Sequence, residues 1–93
     1  LAVPLPEDVD GAVVAYMTRW CGYCVAARRL LTQRGIEFVE VDVSGDTDAR
    51  RWLRERSGQH TVPQIFIHGR SIGGYVELRA LDRSGELAAA VTG

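Results

Sequence analysis

Two cysteines stand two residues apart in Trp20-Cys21-Gly22-Tyr23-Cys24, and the chain of 93 residues holds no other thiol. Upstream, Ala12-Val13-Val14-Ala15-Tyr16-Met17 is an apolar run of strand length. Downstream, Tyr23, Ala26, Ala27, Leu30 and Leu31 keep the spacing of one helical face. The pair therefore belongs to a strand-to-helix turn, with Cys21 at or near the first helical residue. Unbonded backbone N–H groups and the positive end of the helix dipole meet there, and both stabilise an anion. The anion of cysteine is the nucleophile. Cys21 is thus the expected attacking thiol, and Arg19 adds a cation nearby. Cys24 lies one turn inside the helix and is expected to be partly covered, the thiol that resolves a mixed disulfide formed on Cys21. Two intervening residues bring both sulfurs within bonding reach on a single turn. An inert buried pair or half of a zinc site are the alternatives. Zinc needs two more ligands, and His60 and His68 match no usual finger spacing.

The rest of the composition is that of one ordinary soluble domain, 46% hydrophobic and 25% charged. With 11 basic and 12 acidic residues the net charge is -1, so no bulk field favours nucleic acid or an anionic membrane. No apolar run approaches the length that spans a bilayer. Two cysteines at C-x-x-C spacing do not form the framework of a small secreted domain. They read as a working dithiol in a reducing compartment, with the cytoplasm as the expected location.

Taken in order, residues 1–11 carry Pro4, Pro6 and three acids without either period, and read as an extended lead-in or the remnant of a longer parent chain. Residues 12–93 form the domain. The unalternating run from Ala12 predicts a strand covered on both faces. The first helix is predicted from Cys21 to Arg34, stopped by Gly35. Alternation from Ile36 through Val43 predicts a second strand. Asp46 or Thr47 caps a second helix that ends at Gly58, with Ala49, Trp52 and Leu53 on its buried face. A crossover of that kind implies parallel strands. Gln64-Ile65-Phe66-Ile67, a turn at His68-Gly69-Arg70 and Ser71-Ile72-Gly73 read as a hairpin. Gly73-Gly74 opens a third helix with Tyr75, Leu78 and Leu81 on one face, and residues 86–91 form a short last one. The expected fold is α/β, a mixed four-stranded sheet with helices on both faces.

Two more stretches carry chemistry. The proline of Thr61-Val62-Pro63 is either a plain strand-entry residue or the second half of a cis peptide. In the cis form the amide and carbonyl of Val62 would turn towards the start of the first helix and pair with a peptide-like thiol. Gly73-Gly74 lets the backbone approach a ligand closely and offers free N–H groups to a carboxylate.

In this order and spacing, Cys-Gly-Tyr-Cys, Thr-Val-Pro and Ile-Gly-Gly resemble the dithiol glutaredoxins, over about residues 13–87. The resemblance implies a thioredoxin-like fold with strand order 2-1-3-4 and Pro63 in cis. It also implies a glutathione groove between the first helix, Thr61-Val62 and Gly73-Gly74, with glutathione as co-substrate. By that likeness Cys21 takes the glutathionyl group, Tyr23 lines the groove and Val62 pairs with the backbone of the glutathione cysteine. Gly74, Tyr75 and Val76 would face the γ-glutamyl end. The chain departs from the family where Gly22 replaces a usual proline and Thr18 a usual lysine, whose contact Arg19 is placed to assume. It departs again at Tyr75, Val76 and Glu77, which replace small and acidic residues, and Gln59 sits where a basic or amide side chain often reaches the ligand. Trp20 before the dithiol is shared with mycoredoxins and thioredoxins.

The function this implies is glutathione-dependent reduction of protein disulfides and of protein–glutathione mixed disulfides, by a monomer with no resident metal. Two other functions stay open at this stage. One is a 2Fe–2S cluster shared by two chains, each supplying Cys21 and one glutathione. The other is a mycoredoxin- or thioredoxin-like reductant served by a different electron donor.

Overall fold

All five residues of β1 (Val13–Met17) are buried, as an apolar run without alternation requires of a strand covered on both faces. The structure, a computed structural model, describes residues 1–93. β1 runs parallel to β2 (Val39–Asp42), with Val14 opposite Val39, and antiparallel to β3 (Gln64–Ile67), with Val14 opposite Phe66. β4 (Arg70–Gly73) pairs with β3, which completes the expected order β2-β1-β3-β4.

Helix α1 (Gly22–Gln33) follows β1 directly and returns the chain to β2. Its end explains why β2 begins later than the alternation predicts. Gly35, at φ 67°, lets its own N–H reach the Thr32 carbonyl and lets Ile36 N–H reach Leu31, both at 3.0 Å. This paired closure uses the backbone of Ile36 to seal the helix, with the Ile36 side chain against the core. The ladder therefore starts at Val39, not Ile36. The buried face of α1 is also rotated from the expected stripe. Cys24, Ala27, Leu30 and Leu31 are buried, whereas Tyr23 is 66% exposed.

Helix α2 (Thr47–Ser57) is capped by the Asp46 carboxylate, which accepts from Ala49 N–H at 3.0 Å, and stops at Gly58 in the left-handed conformation. The hairpin turn is tighter than predicted. His68 and Gly69 both have positive φ, the two-residue turn whose twist suits paired strands, and Arg70 already belongs to β4. Helices α3 (Tyr75–Ser84) and α4 (Leu87–Thr92) close the chain.

Alternate residues of the central strands feed two cores. Val13, Ala15, Met17, Ile65 and Ile67 pack with α1, α3 and Leu87 on one face. Val14, Tyr16 and Phe66 pack with Ala49 and Leu53 of α2 on the other. The first face holds the start of α1 against the sheet. The bidentate pair of Arg34 with Asp82, at 2.7 and 2.9 Å, joins α1 to α3, and that of Arg28 with Glu40, at 2.8 and 2.9 Å, joins α1 to β2.

Residues 1–11 are not simply extended. Pro6–Asp8 form one 3-10 turn, and Val3 and Val9 pack on the second core. Tyr16 Oη donates to the Pro4 carbonyl at 2.7 Å, and Arg56 pairs with Glu7 at 3.0 Å while lying over the rings of Trp52 and Phe66. A segment held by single anchors carries no hydrophobic period, which is why its sequence reads as irregular.

Candidate functional site

Cys21 is the N-cap of α1, extended at φ -144° and ψ 112°, one residue ahead of the first helical turn. Its sulfur takes the role usually played by a hydroxyl or carboxylate oxygen and accepts from Cys24 N–H at 3.1 Å. Cys21 is half-buried, Cys24 fully buried, and both are free thiols. Burial pushes the Cys24 thiol up to about 11, and the neighbouring Cys21 side chain adds to the rise. Near neutral pH Cys24 therefore keeps its proton.

Opposite Cys21 stands the segment before β3. The Val62–Pro63 peptide is cis. The Cys21 thiol donates to the Val62 carbonyl at 3.5 Å, so the sulfur and the backbone of Val62 face one another directly. Cys21 and Val62 also both pack against the first core, which fixes the distance between the two walls.

Beside them opens a groove of about 290 Å³. Tyr23 forms one wall; Thr61, Val62 and Pro63 form the second. Gly74, Tyr75, Val76 and Glu77 form the third, and Gln59 closes the far end. Tyr23 and Tyr75 approach across it with ring centroids 6.1 Å apart. A larger hollow, of about 710 Å³, lies between residues 10–13 and 35–39, at the end of β1 remote from the thiols.

Three sequence expectations change here. Arg19 does not line the groove. Its N–H donates to Ser44 Oγ at 2.9 Å, and its charge helps hold Asp42 below the usual carboxylate range, after the hydrogen bonds from Ser44. The Gly74 N–H is not free for a ligand carboxylate, because Glu77 Oε1 accepts it at 2.8 Å. The unbonded donors of the first turn of α3 are those of Tyr75 and Val76. Gly73, at φ 101°, is the glycine that the backbone requires, because L side chains rarely adopt that conformation.

One participant was missed altogether. Gln64 is fully buried and its Nε2 donates to Gln59 Oε1 and to the Thr61 carbonyl, each at 2.9 Å. Gln59 Nε2 in turn donates to Glu77 Oε1 at 3.0 Å. The hydrogen bond from Gly74, followed by that from Gln59, holds the Glu77 carboxyl below its usual range. The available signal was one amide inside the apolar strand Gln64-Ile65-Phe66-Ile67. No group of three or more His, Cys, Asp or Glu side chains is assembled to hold a metal ion.

A half-buried thiol capping a helix, a cis proline facing it and a buried second thiol, all on a sheet of order 2-1-3-4, define a thioredoxin-like thiol–disulfide oxidoreductase. A sequence model described as glutaredoxin matches residues 13–72. A glutaredoxin of Pseudomonas aeruginosa is 43% identical over 77 residues, covering 83% of this chain and 92% of that one. Glutaredoxin 3 of Escherichia coli is 43% identical over 75 residues, covering 81% and 90%. Among solved structures, a glutaredoxin from Brucella melitensis is 40% identical with a TM-score of 0.79, covering 87% of this chain and 88% of its own. Buckwheat glutaredoxin in complex with glutathione is 30% identical with a TM-score of 0.81, covering 87% and 76%. The chain belongs to the glutaredoxin family.

Proposed function

We propose that this glutaredoxin binds glutathione in the groove beside Cys21 and uses it to reduce protein disulfides and protein–glutathione mixed disulfides. The observation that carries the reading is the position of Cys21 Sγ, held by Cys24 N–H at 3.1 Å and facing the Val62 backbone at the mouth of that groove. The Cys21 thiolate attacks the glutathionyl sulfur of a mixed disulfide, and the protein thiolate leaves and takes a proton. The new Cys21–glutathione disulfide is then opened in one of two ways. A second glutathione thiolate attacks its glutathionyl sulfur, releasing oxidised glutathione and the Cys21 thiolate. Alternatively Cys24, once deprotonated, attacks the Cys21 sulfur and releases glutathione, leaving a Cys21–Cys24 disulfide for two further glutathiones to reduce.

In this reading Tyr23 and Tyr75 flank the bound tripeptide, and Val62 pairs with its cysteinyl backbone as a short strand. The N–H groups of Tyr75 and Val76 meet its γ-glutamyl carboxylate, and Glu77 meets its ammonium. Gln59, bonded to Glu77, offers its amide beside that same end, with Thr61 and Pro63 shaping the wall and Gly74 admitting the backbone. The protein acts as a monomer in the cytoplasm, where the dithiol stays reduced; no helix is long and apolar enough to cross a membrane. Substitution of each cysteine tests the assignment. Cys24→Ser keeps the reduction of a glutathionylated peptide while losing most reduction of a protein disulfide, and Cys21→Ser abolishes both. Activity that survives Cys21→Ser ends the reading.

A further inference from the structure

We infer that Gln64, acting with Glu77, is a positioning residue that locks the Gln59 amide in one orientation and so aims an N–H donor into the groove. The inference deepens the proposed function and rests on it.

The argument starts from two groups that cannot reverse their hydrogen-bonding roles. The Thr61 carbonyl only accepts, and it faces Gln64 at 2.9 Å. Gln64 must therefore present its NH₂, which also meets Gln59 at 2.9 Å, so Gln59 must answer with its oxygen. At the other end the ionised Glu77 carboxylate only accepts, and it already takes the Gly74 N–H. Gln59 must turn its NH₂ towards it, as the 3.0 Å contact shows. Both ends of the chain demand the same orientation. An amide nitrogen carries two hydrogens, and Glu77 uses one. The second belongs to a side chain that lines the groove, where it suits a carbonyl or carboxylate of a thiol peptide.

Gln64 has no accessible surface and sits in an otherwise apolar strand, where these two bonds commit its NH₂ to Thr61 and Gln59. A leucine would take the donor away from both acceptors and free the Gln59 amide to turn.

The test uses the full chain with a glutathionylated peptide, glutathione and glutathione reductase, comparing wild type, Gln64→Leu, Gln59→Ala and the double variant. Gln64→Leu is expected to raise KM by about threefold to tenfold, the worth of one neutral hydrogen bond, with kcat within about twofold. Loss of two hydrogen bonds is expected to lower its Tm, so the split between KM and kcat reads the positioning role. In the Gln59→Ala background the same change adds no further rise in KM, because its effect travels through Gln59. Should Gln64→Leu fail to fold, the near-isosteric Gln64→Met takes its place, with the same rise in KM expected and no further rise in the Gln59→Ala background. An unchanged KM, additive effects in the double variant, or a lower Tm with KM unmoved overturns the clamp. An inactive wild type overturns the functional reading and the clamp with it; an active wild type with an indifferent Gln64→Leu overturns the clamp alone.

Discussion

Deprotonation of Cys24 is the step most exposed to measurement. Burial lifts this thiol from an ordinary 9.0 to about 11, so near pH 7 only about one molecule in 10⁴ carries its thiolate. An external thiol with an ordinary pKa of about 8.5 is about 3% ionised there. The more basic sulfur is the better nucleophile, and a Brønsted slope of about 0.5 over the intervening gap returns a factor of roughly 15. Sulfur for sulfur, the internal thiol is then about one-twentieth as reactive as glutathione, and proximity must make up the difference. Up to about pH 8.5 both routes quicken together, tenfold per unit, and the partition between them stays fixed. Above it the external route levels off while the internal one keeps climbing. Between pH 8.5 and 10 the partition should move towards the Cys21–Cys24 disulfide by about 15-fold. Reduced protein mixed rapidly with oxidised glutathione, quenched in acid and weighed by mass spectrometry gives the mixed disulfide and its decay directly. The expected profile for decay without added thiol is a line of unit slope from pH 7 to 10, absent in Cys24→Ser. A plateau near pH 9 would refute the reasoning, because burial is the leading cause of the shift and is independent of the charge on Cys21.

Two further outcomes concern stability. Tyr16→Phe removes the hydrogen bond to the Pro4 carbonyl, worth about 1 kcal/mol, and should lower Tm by about 4–8 °C while hastening proteolysis within residues 1–11; an unmoved Tm would show the anchor to be idle. Glu77 is depressed below 4.5 in the folded chain, so its contribution is complete above that pH and disappears as the pH falls through the folded value. Thermal unfolding between pH 5 and 3 should therefore cost wild type more of its stability than Glu77→Gln, and parallel curves would count against the bonds assigned to this carboxylate.

What could be read from the residues was whatever a local rule governs. The dithiol turn, a cap at Asp46 or Thr47, Gly35 and Gly58 as stops and a turn beginning at His68-Gly69 each depend on a few neighbouring residues, and each was legible, though the turn is one residue shorter than the predicted His68-Gly69-Arg70. Errors arose where one backbone group had two uses. The alternation beginning at Ile36 is real, yet its N–H closes α1 and is lost to the ladder. The Gly74 N–H suits an incoming carboxylate in sequence, yet Glu77 three residues later reaches back and takes it. Tyr23 fits the helical period but falls on the first turn, where the helix meets the groove and not the core. Arg19 precedes the dithiol in sequence, but its N–H is held by Ser44, beyond β2.

Gln64 differs from these because its meaning depends on Thr61 and Gln59, 3 and 5 positions earlier, and through Gln59 on Glu77 of α3, and no periodicity reports such a chain. Sequence did contain a trace of it, since an amide in a fully buried strand must either find partners or lose stability. Here it finds two, both through its nitrogen. The same physical tension runs through the whole site. Cys24 is a thiol held protonated by burial although the resolution proposed for it requires its anion, and Gly73 has a φ that any side chain would resist. Local rules locate such a site by its regular parts, while its selectivity depends on the residues that break them.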